Sequence, residues 1–276
     1  MKRVLVVEDD RTTRHLLSGV LKKAGFSVAM AKDGIEGLRQ LRSKDFGLAL
    51  IDIWMPRMNG LELLASLRKE KIKPKAVVLT SDNTPETLLR AIREEAYQYL
   101  TKPVDPEKLV QLVSDALAAS PSPPIDVISA RPDWVELLVP CDKNAADRIQ
   151  GFMARLDADL ADSIRDSIGQ VFHEMLLNAI EWGGRFDPNR KVRIAYLRSR
   201  RMLLYRIADP GPGFKPQELA HAAVSYEPGQ VLAHVSVRQK KNLRPGGFGI
   251  LMARAMADEL LYNEAHNEVV FVKYLD

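Results

Sequence analysis

The sequence predicts two domains of different class: an α/β domain built on a doubly wound, five-stranded parallel sheet, then an α+β domain with a mixed sheet covered by helices. Three observations predict this. Up to about Ala119, short apolar runs alternate with amphipathic helical stretches. A Ser/Pro-rich tract then interrupts the pattern. Beyond it, longer strand patterns flank one long helix with a continuous apolar face. At 276 residues and 46% hydrophobic content, the chain exceeds the roughly 100 to 200 residues of a single domain and can bury two cores.

In the first domain, residues 1–119, the strands are expected at Val4–Val7, Ser27–Met30, Leu48–Ile53, Ala76–Thr80 and Tyr97–Leu100, with helices between them. Short, nearly continuous apolar runs suit strands covered on both faces. Ser120, Pro121, Ser122, Pro123 and Pro124 cannot continue a helix and favour an extended spacer, so 120–133 is read as a linker.

In the second domain, residues 134–276, Trp134–Val139 reads as a strand and Asn144–Leu156 as a helix. Ile164, Ile168, Val171, Met175 and Ala179 mark one face of a longer helix. Strands are expected at Val192–Leu197, Met202–Ala208 and Val269–Tyr274, and a Gly-rich segment leads into a helix over Phe248–Leu261. The charged stretch Gln217–Leu243 reads as a lid over a ligand or as a solvated face.

A single cysteine, Cys141, excludes an internal disulfide, and the start MKRVLVVEDD passes into charge too soon for a signal peptide or membrane span. The expected location is the reducing cytoplasm. The net charge of +4 is spread along the chain, and no helix-turn-helix with a basic recognition helix is evident, so neither a membrane nor nucleic acid is an expected partner.

In a parallel α/β sheet, functional side chains gather at the carboxyl ends of strands. Glu8, Asp9, Asp52, Thr80 and Lys102 all fall there. Three converging carboxylates repel one another unless a hard cation sits among them, and an oxygen ligand set suits Mg²⁺. These residues, within VVEDD, LIDIWMP, VVLTS and YQYLTKP, resemble the receiver domain of two-component response regulators across residues 1–119. The resemblance implies that Asp52 accepts a phosphoryl group from a sensor histidine kinase. It implies that Glu8, Asp9, Asp52 and the backbone carbonyl of Trp54 hold Mg²⁺, that Lys102 and Thr80 contact the phosphate, and that Tyr99 reports the change to the surface.

In the second domain, Glu174 and Asn178 are four residues apart on the long helix, so both project from one side. Asp209 ends a strand and opens DPGPGF, where Gly211 and Gly213 allow close backbone approach and the carboxylate can accept from an exocyclic amine such as that of adenine. RPGGFGI places Gly246, Gly247 and Gly249 ahead of a helix, whose N-terminal N–H groups favour phosphate. Together HEMLLNAIEWG, DPGPGF and RPGGFG resemble the N, G1 and G2 boxes of the GHKL (Bergerat-type) ATPases, and within them bacterial anti-sigma-factor serine kinases.

That likeness implies ATP and Mg²⁺ as cofactors, Asn178 on the metal, Asp209 on adenine and Glu174 activating a substrate serine. The implied partners are an anti-anti-sigma protein bearing that serine and a sigma factor. His173 sits inside the N box on the helix and is read as structural. Trp182 stands where the family commonly carries a histidine, and the segment between the two glycine loops is long. Both leave open a non-catalytic module that sequesters its partner. A homodimer through either domain is compatible with the sequence.

Overall fold

The computed structural model describes residues 3–82, 84–119, 123–131, 133–215, 240 and 248–275. The chain divides into two compact units, Met1–Pro121 and Ser122–Asp276.

The first unit runs β1 (Arg3–Val7), α1 (Arg11–Lys23), β2 (Ser27–Ala31), α2 (Gly34–Ser43), β3 (Leu48–Asp52), α3 (Gly60–Lys69), β4 (Lys75–Thr80), α4 (Pro85–Arg93), β5 (Gln98–Thr101) and α5 (Pro106–Ala118). The sheet order is β2-β1-β3-β4-β5, and every pairing is parallel. Val4–Val7 and Leu48–Ile51 have no solvent exposure, which is why these strands read as unbroken apolar runs. Val4, Val6, Leu48, Leu50, Val77 and Leu79 meet Leu17 and Leu21 of α1 and Leu109 and Val113 of α5.

Polar caps start the helices where strand-end loops turn back. Asp10, Asp33 and Asp105 each accept backbone N–H groups at a helix start, and Asn59 forms a reciprocal capping box with Glu62. At the far end of α5, Lys75 Nζ donates to the carbonyls of Ala116 (2.5 Å) and Ala119 (2.6 Å), placing a cation on the negative end of the helix.

The second unit runs β6 (Asp126–Ala130), β7 (Trp134–Pro140), α6 (Lys143–Leu156), α7 (Asp162–Asn178), β8 (Lys191–Arg198), β9 (Met202–Ala208), α8 (Gly249–Met256), β10 (Glu259–Tyr262) and β11 (Glu268–Tyr274). A π-helical turn, Ala179–Gly183, continues α7. The sheet order is β10-β11-β9-β8-β7-β6.

Three expectations change here. Asp126–Ala130, read as linker, pairs with β7 as an edge strand; Val127 and Ile128 suit a strand, but the run is short and follows the Ser/Pro tract, and the neighbouring strand supplies the ladder. The helix read over Phe248–Leu261 ends at Met256, because Asp258 accepts from Lys273 Nζ and Tyr274 N and draws the chain to the sheet edge. The mixed sheet is antiparallel throughout the described residues. An even number of helices, α6 and α7, lies between β7 and β8, so the chain returns to the end of the sheet it left and reverses direction. Gln217–Leu243, apart from Lys240, and Gly246 and Gly247 lie outside the described residues.

The core of this unit is built around one buried carboxylate. Asp157, at the end of α6, is 2% exposed and accepts from Tyr196 Oη (2.7 Å) and Tyr205 Oη (2.6 Å). Tyr205 stacks on Phe271 at 4.9 Å and packs against Phe172 of α7 at 5.3 Å, joining strands β8, β9 and β11 to the helical layer. Burial raises the Asp157 pKa and holds both phenols protonated as donors. Asp157→Ala leaves two hydroxyls buried without a partner and is expected to lower unfolding free energy by about 2–4 kcal/mol in urea titrations. Asp159→Ala, which removes only an exposed pair with Arg198, is expected to lower it by less than about 1 kcal/mol.

Candidate functional site

The first site lies at the carboxyl end of the parallel sheet. Ligand oxygens of Glu8, Asp9 and Asp52 come within 4.8 Å of one another. Lys102 Nζ, delivered just after β5, lies 2.8 Å from Glu8 Oε2 and 2.8 Å from Asp52 Oδ1. Glu8 and Asp52 are buried, whereas Asp9 is exposed. Desolvation by burial raises the pKa of both Glu8 and Asp52, and the Lys102 ammonium acts against that rise. Lys102 is in turn destabilised by burial, yet its bonds to the two carboxylates raise its pKa overall.

The carboxylates are close, partly desolvated and, among the described residues, matched by the Lys102 ammonium, an arrangement that suits a divalent cation. Mg²⁺ fits the all-oxygen donor set of Glu8, Asp9 and Asp52. Gly60 lets α3 press against the strand carrying Asp52, since a Cβ there would lie 2.2 Å from the Asp52 carbonyl oxygen. The exposed ring of Trp54 stands two residues beyond Asp52.

Thr80 is fully buried at the end of β4, and its Oγ1 accepts from Asp82 N at 2.9 Å. Tyr99 is turned inward, 5% exposed, with its hydroxyl donating to the Asp82 carbonyl. Thr80 and Tyr99 therefore converge on one residue of the β4–α4 loop. Asp82 also accepts from Thr84 N and Thr87 Oγ1, at 2.9 and 2.7 Å. The sequence reading missed Asp82, and it missed Arg14, whose Nη1 holds the carbonyls of Glu8 (2.6 Å) and Asp9 (2.9 Å). Arg14 stands only a few residues after the acidic Glu8–Asp10, and Asp82 only two beyond the end of β4, and neither position marks a role by itself.

The second site gathers the three sequence motifs of the second unit. Glu174 and Asn178 of α7 are half-buried. Gly249, the first residue of α8, lies directly against them: a Cβ there would sit 2.6 Å from Glu174 Oε2 and 3.3 Å from Asn178 Nδ2. The N-terminal end of α8 thus faces the carboxylate and amide that the sequence put on one side of α7.

Asp209 is held from two directions. Its Oδ1 accepts from Gly211 N at 2.7 Å, and a Cβ on Gly183 would lie 2.1 Å from the same oxygen. Gly183 closes the π-helical turn that begins directly after Asn178. The glycine following Trp182 is therefore part of the Asp209 site, a role the EWGG letters do not announce. Burial raises the Asp209 pKa, opposed by the Gly211 N–H and by Arg190. Gly213 has φ +83° and a Cβ there would meet the Ala265 carbonyl oxygen at 1.7 Å, so no side chain fits. Cys141 packs beneath Gly184, and burial pushes its thiol pKa up to about 11, which leaves it unreactive near neutral pH.

Residues 4–114 match the family described as the response regulator receiver domain. Residues 140–273 match the histidine kinase-like ATPase domain. The chain is similar to the DNA-binding response regulator MtrA of Mycolicibacterium paratuberculosis, 29% identical over 191 residues, covering 69% of this chain and 84% of that protein. It is 35% identical over 115 residues to the transcriptional regulatory protein ZraR of Klebsiella oxytoca, covering 42% of this chain and 26% of that one. Among solved structures, a CheY-like receiver domain protein of Methanospirillum hungatei matches with TM-score 0.41 and 32% identity, over 42% of this chain and 94% of that one. No helix among the described residues is long and apolar enough to cross a membrane.

Metal binding at the first site requires deprotonated carboxylates. Because burial raises the Glu8 and Asp52 pKa values, Mg²⁺ affinity is expected to weaken on acidification while exposed carboxylates are still ionised. Calorimetric titration of Mg²⁺ at a series of pH values checks this. Asp9→Ala is expected to weaken Mg²⁺ at least about tenfold by loss of one charged ligand.

Proposed function

Starting from a chain that carries a response regulator receiver domain and, after it, a histidine kinase-like ATPase domain, we propose that phosphorylation of Asp52 controls an Mg·ATP-dependent protein serine kinase. The observation that carries the second half of this reading is the packing of Gly249 against Glu174 and Asn178, which draws the second glycine motif to the long helix, whose Gly183 in turn lies against Asp209.

In the receiver, the Asp52 carboxylate attacks the phosphorus of a phosphohistidine on a sensor kinase; the P–N bond breaks and a P–O bond forms. Glu8, Asp9, Asp52 and the Trp54 carbonyl would hold Mg²⁺, which supplies neutralisation of phosphoryl charge. Lys102, already bonded to Asp52, pairs with the new phosphate. Thr80 donates to a phosphate oxygen and shifts the β4–α4 loop through Asp82, and Tyr99 follows through its bond to the Asp82 carbonyl.

In the ATPase domain, Asp209 accepts from the adenine amine. Gly249, at the start of α8, would serve the phosphates, and Asn178 would hold Mg²⁺. Glu174 takes the proton of a substrate serine as its oxygen bonds to the γ-phosphorus and ADP leaves. The substrate class is an anti-anti-sigma protein bearing that serine, with a sigma factor as the second partner. A sequestering module without catalysis is the competing reading, favoured by Trp182 in the N box.

The test is calorimetric titration of Mg·ATP with and without beryllofluoride, the mimic of phosphorylated Asp52. ATP is expected to bind, its affinity to change with beryllofluoride, and binding to vanish in Asp209→Ala. Incubation with γ-labelled ATP and the serine-bearing partner is expected to label the partner, and Glu174→Ala to abolish labelling while ATP still binds. Binding without labelling supports sequestration; no binding in any state removes the nucleotide reading.

A further inference from the structure

Asp209 is a reading group only if its carboxylate is held at a fixed angle, and the residues that hold it include several outside the nucleotide motifs. The turn joining β10 to β11, residues 263–267, meets the Asp209–Phe214 segment through Ala265, His266 and Asn267. Asp209 N donates to the Asn267 carbonyl at 2.8 Å. Asn267 Nδ2 donates to the Gly211 carbonyl at 3.0 Å. Asn267 thus grips the Asp209–Gly211 turn at both ends, while Gly211 N returns a bond to Asp209 Oδ1.

Asn267 is itself fixed by a second asparagine. Asn263 Nδ2 donates to Asn267 Oδ1 at 2.8 Å, and Asn263 Oδ1 accepts from Asn267 N and Glu268 N at 3.1 and 3.2 Å. Each amide therefore has a defined donor and acceptor, and neither can rotate without breaking bonds on both sides. Further along the same contact, Phe214 N donates to Ala265 O at 3.1 Å. The rings of Phe214, Tyr262 and His266 pack pairwise at 5.1 to 5.7 Å. Tyr262 also reaches Met175, next to Glu174 on α7, through its hydroxyl at 3.5 Å from the sulfur.

We propose that Asn267, oriented by Asn263, is the positioning residue that sets the base selectivity of the nucleotide site, by locking the Asp209–Gly211 turn so that Asp209 presents its free oxygen to an exocyclic amine. This rests on the reading of Asp209 as the group that accepts from adenine. Asn267 does not touch the base. Its contribution is to keep Asp209 from relaxing toward other donors, so its loss costs discrimination more than overall fold.

The test compares Mg·ATP with the triphosphate of purine riboside, which carries hydrogen where adenine has its amine, by calorimetry on the full chain. The wild type is expected to prefer ATP. Asn267→Ala is expected to lose roughly fivefold to tenfold in ATP affinity, the scale of one net hydrogen bond, with the purine analogue little changed, so that the preference collapses. Asn267→Asp keeps the shape and the acceptor for Asn263 but lacks the donor to Gly211, and should lose the same preference with an unchanged tryptophan-monitored melt. Equal losses for both nucleotides, or an unaltered preference in both variants, would overturn the assignment of Asn267 alone. Failure of the wild type to bind ATP, or retention of full selectivity by Asp209→Ala, would overturn the adenine reading and this inference with it.

Discussion

The receiver unit depends on one ammonium placed among acids. Glu8, Asp9 and Asp52 come within 4.8 Å, where two full negative charges repel by about 3 to 4 kcal/mol at an effective dielectric of about 20. Lys102 relieves that repulsion for the two buried members, and it comes from β5, on the far side of β4 from β3 and β1. The ion pair therefore ties the carboxyl ends of three strands, and the negative charge left over is of the sign a cation would neutralise.

The second unit solves a different problem, that of bringing backbone close to polar side chains. Its motif glycines are contacts more than turns: Gly183 against Asp209, Gly211 against Gly183, Gly213 against Ala265 and Gly249 against Glu174. Each removes a side chain where another element must approach within a van der Waals radius. The buried Asp157–Tyr196–Tyr205 network keeps α6 and α7 seated on the sheet, and so keeps the helix bearing Glu174 and Asn178 at the height the glycine loops require.

Much of this was legible in the sequence, for identifiable reasons. The receiver strands are buried on both faces, so apolar runs marked them, and the acids stood at their ends. Glu174 and Asn178 were readable from helical spacing, and Asp209 from the end of β9. What escaped lay in short segments or in contacts distant in sequence. Asp126–Ala130 became a strand because β7 offered it a ladder. Leu260, Leu261 and Tyr262 form too short an apolar run to separate helix from strand. Asn267 acts through a bond to Gly211, 56 positions away, which no spacing rule reaches.

The π-helical turn between Asn178 and Gly183 gives the second unit an unusual register. A π turn holds one residue more than an α turn, so the N-box asparagine and the glycine at Asp209 are fitted to each other by an inserted position. Removing a single residue from Ala179–Gly183 would leave a good helix, yet it would rotate everything beyond by about 100°. The aromatic ring and the glycine would then face elsewhere while α7 kept its packing. Length in this short stretch is thus as much a part of the ligand geometry as residue identity, and divergent chains that keep every motif letter but differ by one residue here would not be equivalent.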